Sequence, residues 1–188
     1  EPLARLAALA KLKDKELLPG IAMTNSEPLV RRAATEKISN QNQLYQIASS
    51  NSASFIRIFA TSLISDQKLL AALARHNSDA LARRAALRGI KRQETLILLF
   101  RSEPDRDVRK AAVELITDPE TLDQLASGDP DPLIRYLAVR RCQRPALLGR
   151  IATTDPDAAV RRAAVALIGD EALLENIALT DPDDEVRR

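Results

Sequence analysis

Arginine recurs at positions 5, 31, 57, 83, 109, 135, 161 and 187, a spacing of 26 residues with no insertion or deletion. Guanidinium groups repeated at a constant rise could track a phosphate backbone. They could equally tie a fold together. From Arg31 onward each stands six residues past a turn residue: Asn25, Asn51, Asn77, Glu103, Asp129, Asp155 or Asp181. Its five donors suit turn carboxylates and carbonyls of its own or the adjacent repeat. A binding site rarely needs every repeat, so Arg31, Arg57, Arg83, Arg109, Arg135 and Arg161 are read as a structural ladder.

Other chemistry-bearing residues are few. A single Cys excludes an internal disulfide and any multi-Cys metal site, and a single His excludes His-pair zinc sites. Cys142 occupies a slot filled elsewhere by Leu12, Ile38, Ile64, Ile90, Ile116 and Ile168, which makes it a small core hydrophobe. His76 stands beside the turn at Asn77, where a cation at a helix C-terminus is ordinary. No carboxylate pair, Gly-rich phosphate loop or metal spacing is present. The chain is therefore expected to be no enzyme and to use no metal or cofactor.

Net charge is +2 but unevenly spread, with 15 basic and 8 acidic residues in 1–100 against 13 and 18 in 101–188. Arg84, Arg88, Lys91 and Arg92 form the densest basic stretch outside the ladder, spaced to place most of them on one outward helix face. Arg140, Arg141, Arg144 and Arg150 cluster beside Tyr136. Nucleic-acid binding through the first face is the alternative function, weakened by 3% aromatics and a pI of 8.9.

The elements behind these residues follow from composition and period. With 30 Ala, 28 Leu, 5 Gly and no Trp, the chain reads as all-α. No run approaches the roughly 18 apolar residues of a membrane span. Ala stands three residues after each Arg, and Leu recurs at 18, 44, 70, 96, 122, 148 and 174. In 155–180, Asp155-Pro156-Asp157 supplies an N-cap, a proline for the first helical position and an acid at the positive end of the dipole. Val160, Ala163, Ala164, Leu167 and Ile168 then form one stripe on a helix of about three turns. Gly169-Asp170 stops that helix and caps the next, whose stripe is Leu173, Leu174, Ile177 and Ala178. Pro19 is expected to interrupt the second helix of the first repeat. A unit this small buries neither stripe alone, so stacking is required. The expected fold is one right-handed α-solenoid over 1–188, of about seven helix-turn-helix units: 1–24, 25–50, 51–76, 77–102, 103–128, 129–154, 155–180, and a stub at 181–188.

The runs Asp155–Ala164 and Glu103–Ala112 resemble HEAT-like repeats of the armadillo-type α-solenoids, in a short form similar to bacterial HEAT-like arrays. The unit is 26 residues long against roughly 40 for ordinary HEAT repeats. The variant leucine-rich repeat is the runner-up, though no cysteine set serves its iron–sulfur cluster. The resemblance implies a cytoplasmic binding scaffold whose second helices line a concave face. Within that face Ile97 and Leu98 occupy slots that are mostly polar elsewhere. With Ala71 and Ala72 they are expected to form an apolar strip flanked by Arg75 and Arg101, a signature of protein or peptide binding. Phe100 replaces a repeated Ala and either fills the core or extends the strip. Coverage by further chain, or regulation of an enzyme supplied by flanking chain, is the other reading.

Neither end carries a polar capping face: Leu6 and Leu9 open the chain, and Leu173, Leu174 and Ile177 have only the stub to cover them. The segment is thus expected to belong to a longer array, or to meet a partner or second copy at its ends. Size-exclusion chromatography with light scattering checks this. A cooperative, soluble 20.7 kDa monomer would contradict it.

Overall fold

The computed structural model describes residues 2–50 and 53–188; Asn51, expected to open a repeat, lies outside them. Among the described residues the chain is all-α, with fifteen α-helices, one 3₁₀ turn and no strand. It divides into two compact units, residues 1–112 and 113–188. The first holds α1 (Pro2–Lys11), α2 (Leu18–Thr24), α3 (Pro28–Glu36), α4 (Gln41–Ser49), α5 (Ser54–Ser62), α6 (Gln67–His76), α7 (Ala80–Gly89), α8 (Gln93–Ser102) and all but the last residue of α9 (Arg106–Val113). The second holds α10 (Pro119–Gly128), α11 (Pro132–Val139), α12 (Pro145–Thr154), α13 (Ala158–Val165), α14 (Glu171–Thr180) and α15 (Asp184–Arg187).

Packing inside each unit alternates in a repeat-like way. In the first, α1, α3, α5 and α7 pack side by side, α2, α4, α6 and α8 do the same, and each of α2, α4 and α6 packs on the odd helix that follows it. The second unit repeats this with α11, α13 and α15 in one layer and α10, α12 and α14 in the other. Most buried residues among those described fall at the periodic slots. Ile56, Ala60 and Ala86 are wholly buried in the first unit, as are Ile134, Ala138, Val160 and Ala164 in the second. Alanine at the tightest slot lets neighbouring odd helices approach, while Leu70, Leu73 and Ile151 fill the space between layers. Burying each such large side chain contributes about 1.5–3 kcal/mol.

The turns differ from the sequence expectation by two residues. Asp157, not Asp155, caps α13, its Oδ1 accepting the N–H groups of Ala159 at 2.9 Å and Val160 at 3.2 Å. Asp155 instead ends α12 and accepts the Asp157 N–H at 2.9 Å. Its carboxylate is also engaged by an arginine, which leaves capping to the second acid of the turn. Helix α13 is correspondingly short. It closes through Leu167 N–H to the Ala164 carbonyl at 2.9 Å and Ile168 N–H to the Val165 carbonyl at 3.2 Å, before Gly169 is reached. No described residue has a positive φ, so Gly169 is no left-handed cap. Leu167 and Ala178, placed in the core stripes by sequence, are exposed. Pro19 is the second residue of α2 instead of interrupting it, and a 3₁₀ turn at Lys15–Leu17 precedes the helix.

Gly89 closes α7 where a Cβ would lie 2.8 Å from Leu70 Cδ1 and 3.2 Å from Cδ2, and Leu70 is only 1% exposed. Gly128 ends α10 with nothing within 4 Å of the same position. Gly89→Ala is expected to destabilise by about 1 kcal/mol or more, the overpacking cost exceeding the helix-propensity gain. Gly128→Ala should be neutral or stabilising. Urea denaturation of the two variants checks the contrast.

Candidate functional site

The ladder arginines sit where an odd helix meets the turn that opens the next helix pair. In the second unit, Arg135 on α11 donates Nε and Nη2 to both carboxylate oxygens of Asp155 at 2.8 and 2.9 Å, and Nη1 to the Asp129 carbonyl at 2.9 Å. Arg161 on α13 repeats this with Asp181, both bonds 2.8 Å, and with the Asp155 carbonyl at 2.9 Å. Each arginine thus binds the carbonyl six residues behind it and a carboxylate twenty residues ahead. Arg135 and Arg161 are 8% and 6% exposed, too buried to meet a phosphate backbone.

The first unit varies the theme. Arg83 bonds the Asn77 carbonyl at 2.9 Å and Glu103 at 3.2 Å. Arg57 takes Asp79, two residues further on, because the turn opens with Asn77, which carries no charge. Arg31 donates to the Asn25 carbonyl at 3.0 Å. The Arg109 guanidinium lies 4.7 Å from the centre of the Phe100 ring, and Phe100 itself is buried. Phe100 therefore belongs to the core and not to an exposed strip.

The sequence reading did not single out a second set of bridges. Gln41 Oε1 at the start of α4 accepts the N–H of Ser65 at 2.7 Å, and Gln67 Oε1 at the start of α6 accepts that of Lys91 at 2.8 Å. The signal was present as glutamine at 41, 67 and 93, a 26-residue repeat in polar positions.

The basic cluster separates. Arg84 and Arg88 share α7, but that helix ends at Gly89, leaving Lys91 in the connection and Arg92 as the N-cap of α8. The four do not share one helix face. In the second unit, Arg144 pairs with Asp123 at 3.0 Å, Arg141 bonds the Val113 carbonyl at 2.9 Å, and Arg140 lies over Tyr136. Arg141 and Arg144 are thus engaged by the fold, while Arg140 and Arg150 are exposed. Cys142 is buried with Sγ 3.1 Å from Asp123 Oδ1; burial first, then that carboxylate, pushes the thiol up, away from the thiolate form.

The expected strip lies on α6 and α8, which pack together. Leu98 is 59% exposed, Arg75 and Arg101 are exposed, and Ala71, Ala72 and Ile97 are half-buried. The apolar surface is thus one projecting leucine on a shallow alanine and isoleucine floor. A further groove of about 470 Å³ opens in the even layer of the second unit, lined by Ala146, Gly149, Arg150 and Leu173 among others. Gly149 carries no side chain to fill it. Among the described residues no helix is long and apolar enough to cross a membrane, and no group of His, Cys, Asp and Glu could hold a metal ion. No protein-family model, curated protein or solved structure matches the chain.

Arg161 holds the Asp181 carboxyl below the usual carboxylate range, against the opposing effect of burial. Burial pushes Asp79 up, but its hydrogen bonds with Arg57, Ser54 and Leu81 outweigh it and leave that carboxyl low as well. Because both folded values lie below the unfolded value of about 3.9, their contribution is complete above that pH and is lost as pH falls through the folded values. The stability gap between the native chain and Asp79→Asn/Asp181→Asn should be widest above about pH 5 and narrow as pH falls below about 3.9. Urea unfolding across that range measures it.

Proposed function

We propose that each unit is a stretch of HEAT-like α-solenoid, its helix pairs repeating every 26 residues, and that the chain is a non-enzymatic scaffold binding a protein or peptide segment through the even-helix layer at α6 and α8. The observation carrying this reading is Leu98, 59% exposed at a slot held by Gln46, Gln124, Arg150 and Asn176 in four pairs and by the small Gly20 and Ala72 in two others. The fold does not need a leucine there, since polar residues fill the same position in other pairs. Arg75 and Arg101 flank it with side chains able to grip a carboxylate in bidentate fashion. Ala71, Ala72 and Ile97 supply a floor low enough for a partner side chain to rest on. An apolar anchor ringed by arginine has the composition of an interface hot spot.

Peptides selected from a displayed library on the immobilised chain should lose about tenfold or more in affinity for Leu98→Glu, and several-fold for Arg75→Ala/Arg101→Ala. Unchanged binding by a Leu98→Glu protein with native circular dichroism would remove α8 from the binding face.

A further inference from the structure

Four large apolar side chains on the odd helices of the first unit share one register and face solvent. Leu3, Leu29, Phe55 and Leu81 are each the second residue of their helix, α1, α3, α5 and α7. Their exposures are 78%, 63%, 43% and 50%. The four helices pack in sequence, α1 on α3, α3 on α5 and α5 on α7, so the side chains form a continuous row.

The Arg31 guanidinium lies 5.9 Å from the centre of the Phe55 ring, but no such contact accounts for the three leucines. Buried slots are filled from the other face of each helix, by Val30, Ile56 and Ala82. The first turn of a helix is where an acid is favoured by the dipole, and an exposed leucine gains nothing there. The same register carries Asp107 on α9 and Glu185 on α15, with a half-buried Leu133 on α11 and the small Ala159 on α13, so in this register large exposed apolar residues are confined to the first four odd helices. Apolar residues persist in four successive helices against that preference.

We propose that this row docks an acidic amphipathic helix from a partner protein. Charge complementarity sets the sign. One helical turn beyond the row stand Arg32, exposed, and Arg84, half-buried, and a further turn along α7 stands Arg88, exposed. The Arg32 guanidinium lies 4.9 Å from the centre of the Phe59 ring, held on an aromatic face on this side of the layer. Glu36 is the one exposed acid at the equivalent depth on α3. Residues 1–112 as a whole carry 19 basic and 11 acidic side chains. The other side of the row holds the caps Glu27 and Asp79, so a partner with carboxylates along one side of an apolar seam meets both features.

Spacing sets the shape. Packed helices lie about 8–10 Å apart. A helix crossing them advances about 10.5 Å in seven residues, so an apolar residue once per heptad meets one row member after another. About 22 residues of helix span the four positions.

The test uses the full chain and a fluorescent synthetic helix of ~25 residues with leucine at every seventh position and glutamate along one flank, beside a counterpart with lysine for glutamate. Fluorescence anisotropy should show saturable micromolar binding of the glutamate helix, weakened by salt, with the lysine helix at least about tenfold weaker. Leu29→Glu and Leu81→Glu place an acid where the helix dipole favours one, so both variants should fold, and each should lose about tenfold or more in affinity. Arg32→Glu/Arg84→Glu should do likewise, while Leu98→Glu leaves this binding intact and so separates it from the even-layer site. Equal binding of the two helices, no saturable binding, or indifference to Leu29→Glu and Leu81→Glu would overturn the proposal. So would sedimentation showing that the row joins two copies of the chain and that Leu29→Glu parts them.

Discussion

A guanidinium enclosed between two helix pairs must find protein acceptors for its donors, because water no longer supplies them. At Arg135 and Arg161 that requirement organises the surrounding turn. One end of the guanidinium holds the carbonyl of the turn already passed, and the other holds the carboxylate of the turn to come. The same carboxylate accepts the N–H two residues on, which leaves the next acid free to cap the helix. Spacing between pairs, direction of the new helix and its first hydrogen bond therefore depend on one side chain. Removing such an arginine would strand a buried carboxylate as well as losing a bond, and the stranded charge is the larger cost.

Much of this was legible in the residue order, for a physical reason. Core slots are read from apolar type and spacing, and Val30, Ala34, Leu44, Ala60, Leu70, Ala86, Ile134, Ala138 and Val160 are all buried where the 26-residue period puts them. Turns were harder. Asp155-Pro156-Asp157 offers two acids able to cap, and the choice depends on which one an arginine twenty residues earlier has engaged. That is a nonlocal contact with no local signature. Helix ends were misjudged at Gly169 because glycine is the usual stop signal. Here α13 closes earlier, through backbone bonds from Leu167 and Ile168.

The candidate surface was legible only in part. Ile97 and Leu98 stood out because they break the repeat, yet only Leu98 is strongly exposed, and Phe100 turns inward beneath Arg109. Departure from a period shows that something changed. It does not tell which way the side chain points. The row at Leu3, Leu29, Phe55 and Leu81 escaped notice for the opposite reason. It keeps one register through four repeats, and repetition of an apolar residue does not state whether it is buried. The spacing of Arg84, Arg88, Lys91 and Arg92 likewise suggests one helix face for most of them, but α7 ends at Gly89 and carries only Arg84 and Arg88.

The arginine-to-carboxylate span also limits how such a chain can change in length. Between Arg135 and Asp155 lies all of α12, so removing one residue from that helix turns everything after it by about 100° relative to what came before. The acceptor would leave the guanidinium and the apolar stripe would leave its layer together. Removing a whole period instead brings Asp181 to the place Asp155 held, with the same chemistry and in the same frame. Genetic variation in this chain is consequently quantised: single-residue slips within the helices are penalised, while duplication or loss of complete helix pairs preserves every bridge on either side of the event.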